Sequence, residues 1–182
     1  DAMQVAAECN TAGGEAIAVR ADVTADADCR RLAQAALDAW GRLDALVNNA
    51  GTTKFVPHAN LDELCAEDFQ RIYATNVVAA FQMSRACAPA LKKSGRGAVV
   101  NVSSLASFLG TGSSIAYAAS KGAVNVLTLS LARVLAPEVR VNAVLPGFVD
   151  TPWMTKGYGE ERYARLSANY RAAAPLKSTC SP

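Results

Sequence analysis

Tyr117 and Lys121 stand four residues apart in an alanine-rich apolar stretch. On a helix that spacing puts both side chains on one face, with Cβ atoms roughly 5–6 Å apart. An ammonium group beside a phenol favours the phenolate. A free tyrosine titrates near about 10, so trading a proton near neutrality asks for roughly 4 kcal/mol of help. One charge ~4 Å away at an effective dielectric of ~20 supplies about that much. The pair can therefore serve as proton donor and acceptor. With five tyrosines in the chain, such a spacing also arises by chance roughly a quarter of the time. Upstream, Ser103-Ser104 follow an apolar run directly. A hydroxyl there, beside that of Tyr117, offers two donors to a carbonyl oxygen gaining charge.

The elements that must position these groups alternate between strand and helix. Ala2–Cys9 reads as a helix stopped by Gly13-Gly14, and Ala16–Ala21 as a strand. Thr24 or Asp26 caps a helix carrying Leu32, Ala36, Leu37 and Trp40 on one face, closed by Gly41. Ala45–Asn48 is a second strand, followed by a long helix from about Glu67 to Lys92. Gly97–Ser103 is a third strand. Ile115–Leu135 is a helix ended by Pro137, and Val139–Leu145 a fourth strand cut by Pro146-Gly147. A helical segment lies around Glu160–Ala173. Short continuous apolar strands alternating with helices predict an α/β fold, a Rossmann-type doubly wound parallel sheet with helices on both faces. The carboxyl ends of its strands then carry Asp22-Val23, Asn48-Asn49-Ala50-Gly51, Ser103-Ser104 and Pro146-Gly147-Phe148-Val149-Asp150-Thr151. In open α/β sheets that edge is the ligand crevice. Ala50-Gly51 and Gly147 are small enough for a ligand to approach the backbone.

Composition narrows the classes. The chain has 182 residues, 51% hydrophobic and 19% charged, enough for one domain with a core. The net charge of +2 is evenly spread, without the basic footprint of a nucleic-acid binder. No apolar run approaches the ~18 residues of a membrane span. Five scattered cysteines and a single histidine assemble no metal site and fit a cytoplasmic protein. His58 reads as a solvated loop residue, and Asn101-Val102-Ser103 as a buried strand rather than a glycosylation site. Gly110-Thr111-Gly112 reads as loop, not as a phosphate cradle. Trp153, Met154 and Tyr158 form either a substrate lid or a partner surface, the lid being preferred.

Together, Asp22-Val23, Asn48-Asn49-Ala50-Gly51, Thr75-Asn76, Ser104, Tyr117 with Lys121, and Pro146-Gly147 with Val149 and Thr151 resemble, in order and spacing, the short-chain dehydrogenase/reductase family. The look is nearest to 3-oxoacyl-carrier-protein reductases and the related sugar and alcohol dehydrogenases. The resemblance implies an NAD- or NADP-dependent oxidoreductase interconverting a secondary alcohol and a ketone by hydride transfer. It implies that Tyr117 is the general acid or base and that Ser104 holds the substrate oxygen. Lys121 would lower the tyrosine pKa and bind the nicotinamide ribose, and Asn76 would hold a water linking Lys121 to solvent. Asp22 and Val23 would flank the adenine, Asn49, Ala50 and Gly51 the adjoining ribose, and Pro146, Gly147, Val149 and Thr151 the nicotinamide. Trp153 and Met154 would meet the small-molecule alcohol or ketone. The family's association through its two long helices implies a homotetramer or homodimer. A catalytically silent dinucleotide sensor is the rival reading, which the intact Asn76, Ser104, Tyr117 and Lys121 set opposes.

Against the family pattern, residues 1–182 read as a single partial domain, without the glycine-rich first unit and the closing helix and strand. The strand Ala16–Ala21 would then sit apart from Ala45–Asn48, with a gap in the sheet between them. The 182 residues alone are expected to bind a dinucleotide poorly and to lack activity.

Overall fold

Three of the apolar runs pair into a sheet. In a computed structural model, which describes residues 2–181, these are β1 (Ala45–Asn48), β2 (Gly97–Val102) and β3 (Val139–Val144). They are parallel and ordered β1-β2-β3, with Val47 opposite Val100 and Val99 opposite Val141. The helices are α1 (Ala2–Thr11), α2 (Asp26–Trp40), α3 (Ala66–Tyr73), α4 (Ala79–Lys93), α5 (Ala106–Leu109), α6 (Ile115–Leu135), α7 (Pro152–Tyr158) and α8 (Glu160–Ala173).

Side chains alternate across a strand, so one face of this sheet carries Val99, Val139 and Val141. They are buried with Cys87 and Leu91 of α4, Leu131 and Leu135 of α6, and Ala33 of α2. Burying each large aliphatic of that cluster stabilises the fold by roughly 1.5–3 kcal/mol. The described helices α2, α4 and α6 thus cover one face. Val47, Arg140, Asn142 and Val144 leave the other face exposed among the described residues. By length and mean hydropathy α6 could also cross a membrane, although no uninterrupted apolar run in the sequence does. It is instead packed on β3 and α5 and buries the polar Ser120, Lys121 and Thr128.

The strand expected at Ala16–Ala21 does not form; residues 14–22 belong to no helix or strand. Strand propensity needs a ladder to be realised. Here side chains supply part of the backbone bonding instead. The Asn10 amide donates to Ala16 O and accepts from Ala16 N, Arg31 donates to Arg20 O, and Asp28 accepts from Asp22 N. The cap of α2 also differs. Ala25 holds that position with no side-chain bond, and the turn before it is built by Asp22, which accepts from both the amide and the hydroxyl of Thr24. Gly41 closes α2 in the left-handed conformation, as a C-terminal glycine does.

The long helix predicted from about Glu67 to Lys92 is continuous from Ala66 to Lys93, but it is not uniformly α-helical. Residues Ala74–Val78 form one π turn between α3 and α4. Beyond β3, a short helix α7, not foreseen in the sequence, precedes α8. The chain then returns so that Cys180 pairs with Val149 in a parallel bridge.

Candidate active site

Where β2 ends, its two serines take different roles. The Ser103 hydroxyl is buried and donates to the Lys121 carbonyl at 3.0 Å, tying the strand end to the middle of α6. Ser104 accepts from the Ala106 amide at 3.2 Å and meets the phenol of Tyr117. Ser114 caps α6 by accepting from the Tyr117 amide, so the first turn of α6 aims Tyr117 at Ser104.

One turn on, Lys121 is only 5% exposed. Its Nζ donates to Val102 O at 2.7 Å and lies 5.7 Å from the centre of the Tyr117 ring. Tyr117 and Lys121 thus share a face as their spacing requires, but the ammonium is held by the strand end. The expected acidification of the phenol is not the net effect here. Burial pushes the Tyr117 phenol above its ordinary value, and the bond with Ser104 only partly offsets that. Burial also pulls the Lys121 ammonium down to about 8.

Asn76 sits inside the π turn, 3% exposed. Its Oδ1 accepts from the Thr52 amide at 2.8 Å, and its Nδ2 donates to Thr52 O and to Ser120 Oγ. Both amide protons are thereby used on protein groups. The side chain clamps the loop after β1 to α6. A single extra residue in a helix turns one side chain inward in this way. The loop so held brings Gly51 close to the lysine. A methyl group placed on Gly51 would lie 3.8 Å from Lys121 Nζ and 3.5 Å from Asn76 Oδ1. Behind the loop, the Asn48 amide donates to Asn101 at 2.8 Å, and Asn101 donates to Thr128 at 2.9 Å. This buried polar ladder crosses the sheet to α6; Asn101, set aside as a sequon in the sequence, is one of its rungs.

A cavity of about 960 Å³ opens at the carboxyl ends of the strands. Asn49, Gly51, Ser104, Tyr117 and Lys121 are among the residues that line it. Pro146, Gly147, Val149 and Thr151, from the loop after β3, line it as well, together with Trp153 and Met154 of α7. Of the remaining sequence-selected residues, Val23 and Ala50 line a separate hollow of about 160 Å³ with Thr75. Asp22 and Asn76 line neither: the Asp22 Oδ1 accepts from Thr24 within its turn, and Asn76 is buried behind the loop. The donor set beside Gly51 and the cradle that a Cβ there would fill suit a sugar bearing vicinal hydroxyls, as in a nicotinamide riboside.

His58 and Arg162 of the cavity lining, and Phe55 packed on the lining residues Trp153 and Tyr158, were not read from the sequence as site residues. His58, expected to be solvated, is half-buried in the cavity wall, and its Nε2 is buried without a hydrogen-bond partner. Arg162 of α8 reaches the cavity over the Tyr158 ring, its guanidinium carbon 5.1 Å from the centroid. Phe55 packs edge-on against Trp153 and Tyr158, with centroids 5.3 and 4.8 Å away. Trp153 in turn lies 6.5 Å from the ring of Tyr117. Gly157 makes that packing possible, because a Cβ there would run into the Phe55 ring.

Comparison with known proteins points the same way. The family model described as short chain dehydrogenase matches residues 1–162. A protein of Streptomyces violaceoruber, named as ketoacyl reductase 2 of the granaticin polyketide synthase, is 44% identical over 168 residues, 92% of this chain and 66% of its own length. A short-chain dehydrogenase/reductase crystal structure from Burkholderia xenovorans superposes with TM-score 0.89 at 46% identity, over 99% of this chain and 70% of the other. The structure of NAD+-bound xylitol dehydrogenase superposes with TM-score 0.87 at 27% identity, over 99% and 73%. The chain spans about half to two thirds of the length of the curated relatives it matches. With its parallel sheet, its Tyr117–Lys121 face and these matches, the chain belongs to the short-chain dehydrogenase family.

Proposed function

We propose that the polypeptide carrying this chain is an NAD- or NADP-dependent oxidoreductase that interconverts a secondary alcohol and a ketone, with Tyr117 exchanging the proton. The observation that carries this reading is the meeting of Ser104 with Tyr117 and of Lys121 with Gly51 in the lining of a single cavity. When bound, the nicotinamide supplies the hydride chemistry. Lys121 and the backbone at Asn49 and Gly51 would hold its ribose, and Gly147, Val149 and Thr151 its nicotinamide end.

Burial keeps the Tyr117 phenol protonated near neutrality, which suits a general acid. Ser104 and Tyr117 present two hydroxyl donors to one substrate oxygen, fixing it and stabilising the charge it gains. In the oxidative direction the phenolate is the base, and Lys121 is the group that can stabilise it. A unit charge about 6 Å from the ring is worth roughly 3 kcal/mol at an effective dielectric of ~20. Serving in that way requires the ammonium to be charged, so oxidation should fade above the lysine's pKa of about 8.

The test is Tyr117→Phe in the full-length polypeptide. Turnover, read as nicotinamide absorbance with a panel of ketones and secondary alcohols, should fall at least about a thousand-fold. Dinucleotide affinity should change little. Near wild-type kcat would remove Tyr117 from the chemistry.

For assembly, we propose that copies pair through the outer faces of α4 and α6. On α6, Val126 and Leu129 are 64% and 60% exposed, an apolar strip without cover in one copy.

A further inference from the structure

The charges lining the cavity are of one sign. Lys121 and Arg162 line it, and no aspartate or glutamate does among the described residues. Apart from these and the hydroxyls and amide near Tyr117, much of the wall is apolar, with Leu109, Met154 and Leu166 among its residues. Lys121 is committed to the strand end and to Tyr117. Arg162 is not committed to anything of opposite charge.

That separates Arg162 from the other arginines. Arg30, Arg31, Arg42, Arg71, Arg85, Arg96 and Arg171 each pair with an aspartate. Arg20, Arg133, Arg140 and Arg165 have no such pair but are exposed to solvent. Arg162 alone is half-buried, stacked on an aromatic ring and facing a cavity, with no carboxylate within ion-pairing distance among the described residues. A guanidinium in a concave, partly apolar wall keeps a field that water screens poorly. Its planar fork matches a carboxylate or phosphate in two-point contact. The chain of ring contacts from Tyr117 through Trp153 and Phe55 to Tyr158 leads from the reacting end to this cation.

We propose that Arg162 binds an anionic terminus of the substrate, so that the substrate class is a ketone or secondary alcohol whose chain ends in a carboxylate or phosphate. This rests on the reading of Tyr117 and Ser104 as the reacting end of the same cavity. The apolar wall takes the intervening chain.

Binding can be measured apart from turnover because Trp153 lies in the cavity wall and the chain has only two tryptophans. In the full-length polypeptide, Trp40→Phe leaves Trp153 as the indole reporter within this chain. The probes are straight-chain oxo acids (levulinate and its longer homologues), their methyl esters, and the matching oxoalkyl phosphates. The acid or the phosphate should bind at least about ten-fold more tightly than the ester. That ratio should collapse to about one in Arg162→Met and be partly kept in Arg162→Lys. Whichever anion shows the larger ratio identifies the terminus. Equal binding of acid, phosphate and ester, or a ratio that survives Arg162→Met, overturns the proposal; so does a loss in Arg162→Met confined to dinucleotide affinity. Acids that bind through Arg162 but give no Tyr117-dependent change in nicotinamide absorbance would leave the anion site standing and refute the oxidoreductase reading instead.

Discussion

Replacing Lys121 by methionine separates the cost of a buried charge from the value of its hydrogen bond. The ammonium is almost wholly buried, and burial lowers its pKa from 10.5 to about 8. At about 1.36 kcal/mol per pH unit, that difference is roughly 3 kcal/mol of folding free energy. The folded-state pKa lies below the unfolded one, so between about pH 8 and 10.5 the unfolded chain binds more protons. Stability should therefore rise with pH across that window, and the full penalty is present below pH 8. Methionine matches the length of the stem without the charge. It also leaves Val102 O without its donor, a cost of about 1–3 kcal/mol that does not depend on pH. Urea unfolding of wild type and Lys121→Met between pH 6.5 and 10.5 isolates the first effect from the second. Relative to the variant, the wild type should gain about 2–3 kcal/mol over that range. Other titrating groups cancel in the difference. Parallel stability profiles for the two proteins would show that Lys121 keeps an ordinary pKa, and the account of how burial tunes this site would fail.

The same geometry sets three further outcomes. Gly157→Ala should force the Phe55 ring aside at about 1–3 kcal/mol, raising amide hydrogen exchange in α7. Phe55→Ala should remove most of that penalty in the double variant, and additive effects would show that the two do not touch. Asn76→Ala strips partners from the Thr52 amide, the Thr52 carbonyl and Ser120 at once. A loss of about 2–4 kcal/mol in urea unfolding is expected, and a loss under about 0.5 kcal/mol would deny the clamp. Val126→Glu with Leu129→Glu should reduce the sedimenting mass of the full-length polypeptide to that of a smaller assembly while leaving its far-ultraviolet circular dichroism unchanged. An unaltered mass would place the interface elsewhere.

What the sequence made legible was largely what is local. The bounds of α6, Ile115 to Leu135, were readable because the stretch is dense in alanine and Pro137 comes after it. β1, β2 and β3 were readable as short apolar runs. Ala16–Ala21 has the same character but finds no strand beside it, and pairing is a tertiary fact that propensity does not carry. The helical pattern from Glu67 onward showed a helix but not its π turn, since one extra residue hardly disturbs the apolar spacing on either side. The motif residues at the strand ends were readable as types. The direction of the Tyr117 shift was not, because it depends on how deeply the ring is buried. His58 and Arg162 come from a loop and a late helix with no periodic signature, and only the folded cavity brings them to the site.

The π turn between α3 and α4 acts as a gear with one tooth too many. An additional residue rotates the downstream helix by about 100° around its axis. The stripe with which α4 grips the sheet and the stripe with which α3 meets α6 are therefore out of phase in the sequence yet both face inward in space. Deleting a single residue such as Thr75 would let the ladder heal into plain α-helix. It would swing the whole of α3 relative to α4 and pull the amide of Asn76 off Thr52, so the site's loop and the helix that braces it are set by one register.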